Sequence, residues 1–178
     1  MNREKPVLGI TMGDATGCGP EIIVKSLAEA SFYEMSRLFV IGDAKIMRRA
    51  VDIVGSALKV RTVDSVADAG KDAGVIDVLD FDNLPADLPF ATVDARAGKA
   101  AYEYVAQGVE MAMAGQIDAI VTAPLNKEAM NLGGYHYAGH TEILGALSGT
   151  KDYAMMLVGG PLRVIHVSTH VSLREACT

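Results

Sequence analysis

The sequence predicts an α/β fold, a mostly parallel sheet with helices on both faces. Three observations predict it. Strand-like runs alternate with stretches of helical periodicity along the chain. The runs are apolar throughout, as in strands covered on both sides, instead of alternating apolar with polar. Glycine and proline punctuate most of the junctions. With 178 residues, 50% of them hydrophobic and 21% charged, the chain is long enough to bury a proper core.

Residues 7–12 read as a buried first strand that stops at a loop holding Gly13, Gly17 and Gly19. Pro20 suits the first position of the helix that follows, and Glu21 suits its positive end. Ile23, Leu27 and Ala30 give that helix an apolar stripe. A second strand over 38–43 leads into an amphipathic helix over 44–53, which ends before Gly55. Strands follow at 59–63 and 74–81, and the segment 83–90, with Pro85 and Pro89, is a loop.

A long helix is expected over 99–114, with Tyr102, Val105, Val109, Ala112 and Met113 on its buried face and Gly115 as its stop. An apolar strand over 119–124 precedes a helical turn from Asn126 and a helix ending near Leu147. Residues 154–158 and 162–168 flank a Gly159-Gly160-Pro161 turn and form a hairpin, and 171–176 starts a further helix. A parallel sheet needs each crossover helix to cover a face. The expectation is therefore a fold incomplete at its C-terminus, with residues 1–178 forming the N-terminal part of a larger protein.

Composition excludes several functions. The formal net charge is -6, no Lys/Arg cluster is present and Trp is absent, which argues against nucleic-acid binding. Cys18 and Cys177 are isolated at opposite ends, as in a protein of the reducing cytoplasm. No secretory leader or membrane-spanning run is visible in the sequence, so no membrane partner is expected.

The chemistry concentrates in residues 133–142, which hold three glycines, two histidines and a Thr-Glu pair before the apolar Ile143, Leu144 and Leu147. The spacing Gly134 to Thr141 echoes a phosphate-binding loop, but His140 stands where that motif needs lysine, and no strand precedes it directly. His140 and Thr141 at a helix start offer an imidazole N–H, a hydroxyl and free amides to a phosphate or carboxylate. The alternative is a capping box with His140 or Thr141 at the N-cap. His136 has no assigned role.

The first glycine loop meets neither common nucleotide fingerprint. It is either a ligand approach to backbone amides or a tight turn packed on a neighbour. Asp14 binds a substrate hydroxyl or supports the turn, and Cys18 reads as a small packing residue. Lys127 can meet a substrate anion or stand in solvent, and Asn126 can cap the helix after it. His166 and His170 lie about 13 Å apart on a strand at roughly 3.3 Å per residue, too far for one metal. His170, at the strand's end, is the better metal ligand, and His166 reads as a mid-strand sheet residue.

Gly13-Asp14, Gly17-Cys18-Gly19-Pro20-Glu21, Thr122-Ala123-Pro124-Leu125-Asn126-Lys127, Gly139-His140-Thr141-Glu142 and Ser168-Thr169-His170 occur in an order that resembles the 4-hydroxythreonine-4-phosphate dehydrogenases. Residues 123–129, 153–157 and 164–174 resemble more closely the subgroup that acts on 4-phospho-D-threonate and 4-phospho-D-erythronate. The resemblance covers essentially the whole chain.

It implies a fold of the isocitrate/isopropylmalate dehydrogenase kind, a cytoplasmic homodimer with a shared active site, NAD, and a divalent metal such as zinc, magnesium, cobalt or manganese. The implied reaction oxidises a phosphorylated hydroxy acid, and the resulting keto acid decarboxylates, in pyridoxine biosynthesis or carbohydrate metabolism. It makes His140 and Thr141 the substrate-binding pair and His170 the first of three metal-ligand histidines. The other two, and much of the cofactor region, have no counterpart in these 178 residues. The chain therefore reads as the N-terminal part of such an enzyme or as a truncated, non-catalytic relative. Its loop also departs from the family's usual Gly-Asp-Pro-Ala-Gly-Ile-Gly-Pro-Glu at Ala15, Thr16 and Cys18.

Overall fold

A computed structural model describes residues 5–168 and 171–177. Strands β1 (Val7–Thr11), β2 (Arg37–Gly42), β3 (Lys59–Val63), β4 (Val75–Asp80) and β5 (Ala119–Thr122) form one sheet in the order β3-β4-β2-β1-β5. Every pairing in it is parallel. The helices are α1 (Gly19–Leu27), α2 (Ala30–Met35), α3 (Ala44–Val54), α4 (Ala95–Met113), α5 (Lys127–Leu132) and α6 (His140–Ser148). A separate antiparallel hairpin, β6 (Met156–Gly159) and β7 (Leu162–Ile165), leads to a short α7 (Leu173–Ala176).

The steps β1 to β2 and β2 to β3 run in one direction across the sheet, and β4 to β5 steps back over β2 and β1. With right-handed crossovers this puts α1 and α3 on one face and α4 on the other. The packing agrees. α1 lies against α3, while α4 lies on β1, β2 and β5 and carries α5 and α6 on its outer side. The expected parallel sheet with helices on both faces is therefore present. The exits of β1 and β5 diverge to opposite faces, so the carboxyl ends of these two neighbours flank a topological switch point.

Four details differ from the expectation. Ala30 is exposed and opens α2 instead of extending the stripe of α1. α4 starts at Ala95, four residues before 99, because the Asp94 side chain caps it through the Arg96 N–H. Its buried side includes Ala97, Ala101, Tyr104 and Met111, while Met113 is 66% exposed. A helix sandwiched between a sheet and two further helices buries two faces, and a single stripe predicts only one of them. β3, finally, is not apolar throughout. As the edge strand it leaves Lys59, Arg61 and Thr62 exposed.

Asp43 shows how a buried carboxylate positions several elements. It has no exposed surface, caps α3 by accepting from the Lys45 and Ile46 N–H groups, and accepts the Leu84 N–H through its other oxygen at 3.1 Å. Asp43→Ala leaves three backbone donors without their acceptor. The expected loss is roughly 2–4 kcal/mol. It is read as a lower denaturant midpoint at unchanged slope, and a loss under about 0.5 kcal/mol, the usual range for surface changes, would count against this capping role.

Candidate functional site

The outer side of α4 carries a second, smaller core. Val105 and Val109 of α4 meet Met130 of α5 and Ile143 of α6 there, all buried. α5 approaches very closely, because a Cβ on Gly98 would lie 2.0 Å from the Ala129 carbonyl. The Tyr102 ring stacks on Tyr135 at 3.7 Å and on Tyr137 at 5.8 Å. These contacts tie the turn between α5 and α6 to α4 and so fix where α6 begins.

α6 starts at His140, with Gly139 in extended backbone at its N-cap and no side-chain cap. The capping-box alternative is therefore not what the structure forms. The first-turn amides carry no side-chain acceptor, and the Thr141 hydroxyl is not engaged in a cap. Thr141 lies on a cleft of about 490 Å³. Lys127, Gly139 and Glu142 share its wall with Thr141, and the hairpin segment contributes His166 and Ser168 from the other side. Asn126 caps α5 by accepting the Ala129 N–H at 3.1 Å, which places Lys127 at the first helical residue beside the cleft.

His140, directly before Thr141 in the chain, is not part of this wall. Its Nε2 is shut off from solvent and has no hydrogen-bond partner among the described residues. Leaving such an atom unpaired costs about 1–3 kcal/mol, so a native structure usually supplies it a partner. Burial also lowers the His140 pKa, which favours the neutral imidazole at neutral pH. The unfolded chain then takes up a proton that the folded chain resists. His140 therefore contributes stability above the ordinary imidazole pKa of about 6.5, lost as pH falls through the lowered folded value. Thermal melts from pH 8 down to 5 should show a steeper fall in the native chain than in His140→Gln, and parallel curves would contradict this assignment.

The structure brings Lys127, Thr141 and His166 onto one cleft, and leaves His140 out of its lining. His136 is exposed. His166 is not mid-strand as expected, because β7 ends at Ile165. The hairpin register explains this. Gly159 pairs with Leu162 and Met156 with Ile165, so a four-residue arm ends one residue before the histidine. Counting outward from the Gly160-Pro161 turn is the signal that finds it. His170 lies outside the described residues.

The first glycine loop takes the packing alternative at two of its glycines. A Cβ on Gly13, at φ +71°, would lie 2.3 Å from the Pro124 carbonyl oxygen, and one on Gly19 would lie 2.7 Å from that of Met12. The Asp14 N–H bonds Pro124 O at 2.9 Å, and Asp14 Oδ1 accepts the Thr16 N–H at 2.9 Å. The Thr16 hydroxyl is 2.7 Å from the Thr92 carbonyl, and the Ala91 N–H returns a bond to Thr16 O at 2.9 Å. The departure at Thr16 thus ties the loop to the segment that overlies it. Cys18 is exposed and is not the packing residue expected.

Among the described residues no three His, Cys, Asp or Glu side chains converge to hold a metal ion, and no helix is long and apolar enough to cross a membrane. A second cavity of about 350 Å³ lies between α4, α6 and the hairpin base, lined by Met113, Ile120 and Leu144 among others.

Comparison with known proteins bears on this arrangement. The profile of the family described as pyridoxal phosphate biosynthetic protein PdxA matches residues 34–178. The chain belongs to the PdxA family. Among its curated relatives, D-threonate 4-phosphate dehydrogenase of Cupriavidus necator is 50% identical over 171 residues, covering 96% of this chain and 51% of the relative. A protein named putative D-threonate 4-phosphate dehydrogenase, from Oceanobacillus iheyensis, is 47% identical over 97% of this chain and 52% of its own length. A solved 4-hydroxythreonine-4-phosphate dehydrogenase of Burkholderia phymatum superposes with a TM-score of 0.92 at 51% identity, over 97% of this chain and 52% of that one. This chain of the PdxA family spans about half the length of the curated relatives it matches.

Proposed function

We propose that this chain is the substrate-anchoring half of an NAD-dependent, divalent-metal-dependent dehydrogenase that oxidises and decarboxylates a phosphorylated hydroxy acid. The substrate is 4-phospho-D-threonate, 4-phospho-D-erythronate or 4-hydroxythreonine 4-phosphate. The observation that carries the reading is the cleft at the start of α6, lined by Thr141 and Lys127 beside uncapped amides, with the unpartnered Nε2 of His140 in the same first turn. Relatives named as dehydrogenases of phosphorylated hydroxy acids support it.

The chain's own residues do the binding. The Lys127 ammonium balances charge, the Thr141 hydroxyl and first-turn amides orient an oxyanion, and the His140 ring meets a ligand oxygen once movement at the start of α6 uncovers its Nε2. NAD would supply the hydride acceptor and the metal a Lewis acid. The described residues do not fit either group by themselves. The Thr16 and Gly17 amides of the glycine loop are bonded within it and the Asp14 amide is bonded to Pro124 O, and no metal-ligating trio is present among the described residues. Completion by the remaining length of such enzymes and by a second subunit, with His170 as one ligand, belongs to the same proposal, as do homodimer formation and a cytoplasmic location.

The test is NADH formation by the protein carrying its C-terminal half, supplied with NAD, a divalent metal and each of the three substrates. No NADH from any of them would overturn the reading. A second reading, a non-catalytic protein that holds a phosphorylated acid, is favoured by the lack of a metal-ligating trio among the described residues. It expects thermal stabilisation by the acid without turnover, and stoichiometric metal in the purified chain would count against it.

A further inference from the structure

Beyond Ser148 all the described residues are exposed except one, and that one is His166. The hairpin it follows is apolar and open to solvent, with Val158 65% and Leu162 67% exposed. Nothing in such a hairpin shelters an imidazole. His166 is sheltered because it stands one residue past β7, where the chain meets the cleft across from Lys127 and Thr141. Its backbone N–H bonds Met155 O at 3.5 Å, a long contact at the hairpin base. Among the described residues its ring has no hydrogen-bond partner, and the Lys127 ammonium has no ion pair. The described wall carries one cation, Lys127, and one acid, Glu142, and the hydroxyls of Thr141 and Ser168 add donors.

We propose that His166 is a substrate-binding residue that, with Lys127, grips the phosphate end of a phosphorylated acid from the side of the cleft opposite α6. The assignment rests on the reading of this cleft as the site of a phosphorylated acid. A phosphate monoester presents three strong acceptor oxygens, enough to meet Thr141, Lys127 and His166 together. The imidazole serves in either protonation state, since the neutral ring keeps one N–H donor and the charged ring has two. A ligand held between α5, α6 and His166 also ties the base of the hairpin to the body of the chain. Phosphate should therefore slow hydrogen exchange at the β6 and β7 amides as well as at the start of α6.

The experiment titrates inorganic phosphate, then sulfate, into the 178-residue chain by calorimetry. It compares the native chain with His166→Leu, His166→Gln, Lys127→Met and Thr141→Val. His166→Leu is expected to weaken phosphate binding about tenfold, the effect of one charge-assisted hydrogen bond. His166→Gln, which keeps an N–H donor, should retain most of the affinity. Native affinity in His166→Leu together with a loss in Thr141→Val would overturn the role of His166 and leave the cleft reading standing. No binding of phosphate or sulfate by the native chain would overturn both. Should His166→Leu fail to fold, Lys127→Met on a separate element carries the test, and undiminished phosphate affinity there would overturn the two-donor grip.

Discussion

Replacing Gly98 with alanine is expected to undo the docking of α5 on α4 and lower stability by about 3 kcal/mol or more. The added Cβ would lie 2.0 Å from both the carbonyl carbon and the carbonyl oxygen of Ala129, and 2.3 Å from the Met130 amide nitrogen. Those atoms are backbone, so no rotamer change relieves the overlap and the helix itself must move. Gly133 meets α4 from the other end of α5, where a Cβ would lie 2.7 Å from the Lys99 amide nitrogen. The two glycines together make the contact fixed and close. Displacing α5 shifts Lys127 and the turn leading to α6, so ligand affinity should fall with stability. Chemical denaturation and a phosphate titration of the same variant test both consequences. Wild-type values in both would show that α5 is not held by this contact. Gly145→Ala is the control, since the nearest atom to its Cβ belongs to the half-exposed Tyr153 ring, which can swing aside.

His140→Ala should separate binding from folding in the opposite sense. The side chain removed is only half-buried, and its Nε2 has no partner to lose among the described residues. The melting temperature should change by no more than a few degrees. Affinity for a phosphorylated acid should fall roughly 10- to 100-fold, the range for one lost hydrogen bond to a charged group. A stability loss of several kcal/mol with unchanged affinity would make His140 a structural residue. The pH-dependence of stability provides an independent check, because the steep acid limb attributed to this imidazole must flatten in the variant.

The hairpin adds a consequence for handling the chain. Met156, Leu157 and Ile165 are about half exposed on a two-stranded sheet that buries neither face. Such a surface attracts other copies.

Most of the sheet was legible in the sequence because its strands are apolar runs bounded by glycine and proline. The edge strand 59–63 was found with its bounds intact, and Asn126 and Gly115 marked helix ends through ordinary capping chemistry. The candidate anion corner was legible in part. His140 and Thr141 stood out because Gly139 precedes them at a helix start. His166 did not, because residues 162–168 look like one continuous strand until the hairpin turn fixes the register. The extent of α4 was missed for a similar reason. Its second buried face exists only because α5 and α6 pack there.

The sequence by itself determined the class of fold, the order of its elements and the residue types of the site, because local periodicity and turn chemistry act within a few residues. Only the tertiary structure decided which of these residues share a cleft. Lys127 and Thr141 lie on two different helices and His166 follows a strand of the hairpin, and a close α4–α5 contact, a tyrosine stack and a hairpin register bring them together. It also decided that the first glycine loop is closed, through contacts with Pro124 and Thr92 more than seventy residues away in sequence. Such long-range contacts depend on how whole elements pack, and no local pattern encodes them.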